Sequence, residues 1–173
     1  MLQLAFDNAS YDEARCLFAP YPTIAEINAA EGTGASAAWI VTQLFSLSEF
    51  CGARDKMSEY QMEHLARLIA REYFYLKISE LMLFFHRLKC GAYGRFYGTV
   101  DPMVVTCALR QFCADRNDMI DTYEYELRER CRQLNRQGAV SREEYQRMVE
   151  AGEDIRPAHH VTIDELKAKI YKL

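Results

Sequence analysis

Apolar positions recur at helical spacing over most of the chain. After Ser58, the residues Met62, Leu65, Ala66, Ile69, Tyr73 and Leu76 form one continuous stripe, while Glu59, Glu63, Arg67 and Arg71 fall opposite. That pattern predicts an amphipathic helix, and Ser58 with Gln61 three residues on makes a capping box for its start. A second arc follows, made of Leu81, Phe84, Phe85 and Leu88. If the first helix simply continued, Lys77 would fall in the middle of this arc, and a buried unpaired ammonium is costly. The pattern therefore predicts a break near Lys77 with Ser79 capping the next helix. Glu72 and Glu80 flank the break, and a buried Lys–Glu contact there would fix the angle between the two helices. Met82 and Leu83 point off the main arc, so the second helix reads as central.

Residues Ala35 to Cys51 form an earlier helix with Ile40, Leu44, Leu47 and Cys51 on one face and Trp39 and Phe50 at its edge. Val41 and Phe45 lie on its other side, which predicts cover on both sides; Gly52 ends it. Before it, Ser10 caps a short helix that stops ahead of Pro20, and Pro22 opens another. Asp101–Pro102 supplies an N-cap and a first helical residue. The helix that follows carries Val105, Leu109 and Phe112, then a narrow stripe of Met119, Tyr123, Leu127, Cys131 and Leu134. Read as one piece to Arg136 it would be about 50 Å long, against about 40 Å for a domain of this size. It should bend near Asp115–Asp118 or project. The stripe suits either a two-helix seam between copies or a docking site for the terminal helix, through Ile163, Leu166, Ile170 and Leu173. Gly138 stops the long helix, and Ser141/Glu144 and Thr162/Glu165 are capping boxes for two more. No strand pattern is found.

The expected fold class is all-α, a bundle of about five to seven helices with a glycine–aromatic interhelical loop. The expected domains are an N-terminal arm (1–35), a helical core (36–138) and a two-helix C-terminal tail (139–173).

The loop GAYGRFYG interleaves Gly91, Gly94 and Gly98 with Tyr93, Phe96 and Tyr97, beside Arg87, Lys89 and Arg95. Exposed rings beside cations are what single-stranded nucleic acid requires, since rings stack on bases and cations hold phosphates. Arg87, Lys89, Tyr93, Arg95 and Tyr97 are the candidate nucleic-acid residues. Gly91, Gly94, Gly98, Asp101 and Pro102 are the loop's structural residues. A purely structural loop is the alternative, with glycines supplying positive φ and the aromatics closing the end of the bundle. The spacing fails the P-loop and dinucleotide patterns, which need a preceding strand.

Composition narrows the rest. A net charge of −4 over 173 residues argues against a protein that coats duplex DNA. No apolar run approaches a membrane span, and the N-terminus lacks the pattern of a secretion signal. The six cysteines form no CxxC pair and read as reduced thiols in a cytoplasmic protein. His64 and His86 stand alone, and His159–His160 has no ligand-spaced acid or cysteine beside it. No catalytic residues, metal site or cofactor are expected.

The strings QLFSLSEFCGARDKMS, YFYLKISELMLFFHRLKCGAYGRFYGTVDPM and ALRQF carry a resemblance. From Trp39 to about Asn117 the chain resembles a family of small uncharacterised proteins from phages and conjugative elements of gut bacteria. A looser similarity, in the progression Tyr–Leu, then Glu, then GxYGxxYG, extends to phage replication accessory proteins. It implies a non-enzymatic mobile-element accessory protein acting in DNA replication or maintenance, through single-stranded nucleic acid or a replication protein. With an acidic charge and no ATP-binding motif, an adaptor or loader-like role is implied. The competing expectation is a protein-interaction module, a regulator or host-factor inhibitor, with no nucleic-acid role. A protein partner is expected under both, no membrane under either, and a homodimer is left open.

Overall fold

The computed structural model describes residues 12–52, 56–94, 96, 100–152 and 160–171. They contain eight helices: α1 (Glu13–Phe18), α2 (Ile24–Glu31), α3 (Ala35–Phe50), α4 (Glu59–Glu72), α5 (Ile78–Lys89), α6 (Pro102–Gln137), α7 (Arg142–Glu150) and α8 (Ile163–Tyr171). Among the described residues the only extended pairing is an isolated bridge between Thr23 and Lys77. The all-α class follows. The chain divides into two units, Met1–Asp118 and Met119–Leu173. The division falls inside α6, which is a single helix of 36 residues.

In the first unit α5 is central. Every residue from Ile78 to Phe85 is buried, as is Leu88. The expected stripes surround it: Ile40, Leu44 and Leu47 from α3; Met62, Leu65 and Ile69 from α4; and Val105, Leu109 and Phe112 from α6. Phe84 is the hub, with its ring centroid 5.1 Å from Phe85 and 5.6 Å from Phe112. A fully buried side chain of this size contributes about 1.5–3 kcal/mol.

Cys16 and Ile24, from the expected N-terminal arm, lie in this same core. What holds them is the break between α4 and α5. Lys77 is the N-cap of α5, and the Glu80 carboxylate accepts its backbone N–H at 2.8 Å. The Lys77 ammonium donates to the carbonyls of Leu17 and Ala19 at 2.8 and 2.9 Å. The break therefore stands where expected, and the half-buried cation is bonded to carbonyls of α1 and its exit. Ser79 is not the cap: it lies inside α5 and donates to the Cys16 carbonyl at 2.7 Å. The first amides of α2 are satisfied in the same place. Ile24 N–H donates to the Leu76 carbonyl at 2.9 Å and Ala25 N–H to that of Phe74 at 3.0 Å. Pro22 precedes the cap of α2, Thr23, and its carbonyl accepts from Ile78 N–H at 3.0 Å. The cap of α1 is Asp12; Ser10 lies outside the described residues.

The second unit has its own small core of Leu127, Cys131 and Leu166, with Val161 and Ile163 packed against it. Thus Leu166 of α8 packs on Leu127 and Cys131 of the α6 stripe, in the manner of the docking alternative. Leu173 and the side chain of Ile170 lie outside the described residues. The Thr162/Glu165 box is formed, with hydrogen bonds of 3.1 and 3.3 Å. No residue of α7 is buried.

Candidate functional site

The glycine–aromatic loop is built as the sequence predicts at its ends. Gly91 and Gly94 have φ of +80° and +102°, a region where a β-carbon is strained. Asp101 accepts the Met103 N–H at 2.7 Å to start α6 at Pro102. The cations and rings described there, however, contact their own chain. Arg87 forms an ion pair with Glu13 of α1. Tyr93 packs on the core with its ring 6.1 Å from Phe84. Burial pushes its hydroxyl above the usual phenol range, and neighbouring Arg87 draws it partly back. Lys89 donates to Ser46 at 2.9 Å and lies 5.9 Å from the centroid of the Phe50 ring. Phe96 packs against the core. Arg95, Tyr97 and Gly98 lie outside the described residues. Of the five candidate nucleic-acid residues, the three described ones serve the fold. On the α6 stripe, Met119 and Tyr123 are half-buried, Leu127 and Cys131 are buried, and Leu134 is exposed.

The side of α3 expected to be covered is only partly so: Val41 packs against the core, and Phe45 is exposed. Val41, Thr42 and Phe45 line a groove that is closed across by Lys56, Met57, Glu59 and Met62, the start of α4 and the residues before it. Its volume is about 470 Å³, within the roughly 300–1,000 Å³ of ligand pockets. Met57 and Met62 are buried beneath it, while Phe45 is 55% exposed. The position of the groove follows from local rules. The core stripe Ile40–Leu44–Leu47 fixes the rotation of α3, which turns Val41 and Phe45 one residue round from the core. The Ser58/Gln61 box fixes where α4 begins, with bonds of 2.9 and 3.3 Å. The Lys56–Glu49 ion pair, at 2.5 Å, ties the residues before α4 to α3. Two methionines beneath give an adaptable surface. The sequence signal was present, as Val41 and Phe45 one turn apart, but periodicity marks an apolar face without saying whether anything covers it.

The lining is apolar at Val41, Phe45, Met57 and Met62, with Thr42, Lys56 and Glu59 as its polar positions. Among the described residues no three His, Cys, Asp or Glu side chains are grouped as a metal site would need, and no helix is long and apolar enough to cross a membrane.

Fold and groove together define an all-helical domain with an open apolar cleft between two of its helices. Residues 56–153 match a family of unknown function, DUF6633. The match spans more than half of the chain, and the protein belongs to that family. No curated protein and no solved structure matches it.

Proposed function

We propose that the protein is a non-enzymatic interaction module whose groove between α3 and α4 receives large apolar side chains of a protein partner. The observation that carries this is exposed Phe45 beside half-buried Val41 on α3, above buried Met57 and Met62. An amphipathic helix laying one or two anchors into a groove is the recognition mode that fits. Aromatic and aliphatic anchors supply most of the affinity in such contacts. The resemblance noted above implies the class of partner to test first, a replication protein of a mobile element. Direct contact with single-stranded nucleic acid is the weaker reading, since Arg87, Lys89 and Tyr93 are engaged within the chain.

The test compares capture of proteins from the native host by the parent, by Phe45→Asp, and by a control at another exposed aromatic, Phe74→Asp. A partner held by the parent and the control but lost from Phe45→Asp supports the groove. A partner held equally by all three places binding elsewhere. A labelled oligonucleotide titrated at low salt provides the second arm. Binding that Phe45→Asp leaves intact and Lys89→Ala weakens would transfer the function to nucleic acid.

A further inference from the structure

The terminal segment is attached to α6 by contacts that read its backbone more than its sequence. The side-chain amide of Asn135 brackets the Val161 peptide, accepting from Val161 N–H at 2.9 Å and donating to its carbonyl at 3.0 Å. The Cys131 thiol donates to the same carbonyl at 2.9 Å. Beyond this clamp the Thr162/Glu165 box opens α8, and one anchor, Leu166, closes on Leu127 and Cys131. The site on α6 is thus a docking groove with its ligand seated: an extended residue, a capped helix start, and an apolar side chain at the fourth helical position.

We propose that this groove also takes the His160–Leu166 segment of a second copy, so that two chains associate by exchanging their terminal segments. Three features on this unit support exchange. A nine-residue helix such as α8 does not hold itself in water and is helical because it is docked, so it can leave and return as a unit. The nine residues from 151 to 159 that precede it have a chain length of at most about 32 Å, which sets how far away a neighbour's groove can lie. A second copy presents the same segment with the same complementarity, and exchange of identical elements needs no new contact. The same unit also leaves apolar side chains uncovered. Leu134, Val140, Tyr145 and Val149 are 38%, 51%, 48% and 52% exposed, a surface that a copy held by exchange can bury. The family match ends at residue 153, so the groove lies within the matched region and the exchanged segment beyond it.

Two full-length variants test the proposal. Leu166→Asp spoils the segment and leaves the groove; Leu127→Asp spoils the groove and leaves the segment. Neither can dock its own terminus, but an equimolar mixture can form one complete junction. Sedimentation should show each variant as a monomer and the mixture as a 1:1 complex. If Leu127→Asp loses helix content by circular dichroism, Asn135→Ala replaces it as the groove variant. Separately, a labelled peptide of residues 160–171 should bind Leu166→Asp at least tenfold more tightly than the parent, because the resident segment is gone. Adding Asn135→Ala should abolish that gain. A mixture that sediments as monomers overturns the exchange, and peptide binding no tighter to Leu166→Asp than to the parent overturns the groove itself.

Discussion

Arg116 donates from Nε to the Glu80 carboxylate at 2.8 Å, and that carboxylate has no exposed surface while the guanidinium keeps 19% of its own. The other Glu80 oxygen accepts the Lys77 backbone N–H. One buried anion therefore ties α6 to the first turn of α5. Removing one member of such a pair strands the other charge. Arg116→Met should destabilise the first unit by about 3 kcal/mol. Glu80→Gln keeps an acceptor for Lys77 N–H and should cost less, about 1–2 kcal/mol. Urea unfolding checks the order; a Glu80→Gln chain less stable than Arg116→Met would contradict it.

Lys77 should be the latch for the first twenty or so described residues. Its ammonium gives charge-assisted bonds to two carbonyls, so Lys77→Met should cost about 2 kcal/mol. The loss should be local at first. Hydrogen exchange at Ile24 and Ala25, whose amides bond to the 74–76 turn, should quicken, while amides in the middle of α4 keep their protection. Uniform quickening across both would refute a latch.

Gly94 should resist replacement for a reason of backbone alone. Its φ is +102° and nothing lies within 4 Å of where a β-carbon would be. Gly94→Ala should therefore destabilise by about 1 kcal/mol or more through strain without any clash. A thermal midpoint at or above that of the parent would disprove it.

The thiols should differ in reactivity by place. Burial pushes the Cys16 thiol from its usual 9.0 up to about 11, with Asp12 and Glu13 adding to the effect. Cys90 and Cys107 are exposed. Since the thiolate is the nucleophile, iodoacetamide at pH 8 should label Cys90 and Cys107 first and Cys16 last, as read by peptide mass spectrometry. The same shift has a consequence for stability. The folded chain keeps the Cys16 proton at a pH where the unfolded chain releases it. Its contribution is full below pH 9 and falls as pH rises toward about 11, by at most about 2 kcal/mol. Cys16→Ala should flatten part of that fall.

The sequence announced much of this architecture because it rests on local rules. The Ser58/Gln61 and Thr162/Glu165 boxes, the Asp101–Pro102 start and the break at Lys77 all appear where short-range chemistry puts them. The central place of α5 followed from apolar residues all round it. What stayed hidden depends on partners distant in sequence. Arg87 meets Glu13 across 74 residues, which turns a candidate phosphate-binding cation into a strut. Ser79 had the right type and place for a cap, yet the Cys16 carbonyl, 63 residues away, claims its hydroxyl. Tyr93 looked like a stacking ring, but the loop turns it onto Phe84. The groove escaped for the converse reason. Phe45 and Val41 carry the pattern of a buried face, and only the placement of neighbouring elements covers Val41 and leaves Phe45 exposed.

The latch at Lys77 also sets an order of events during synthesis. Lys77 follows Leu17 by 60 residues and Ala19 by 58. At about 5–20 residues per second, Leu17 and Ala19 are made about 3–12 s before their latch. During that interval Cys16, Leu17 and Ile24 have neither α5 to pack on nor the 74–76 carbonyls to receive their amides. Residues 16–24 thus wait for residues 74–78 before they can take their final place, and a nascent chain stalled before Lys77 would present Cys16, Leu17 and Ile24 as free apolar surface to any chaperone at the exit.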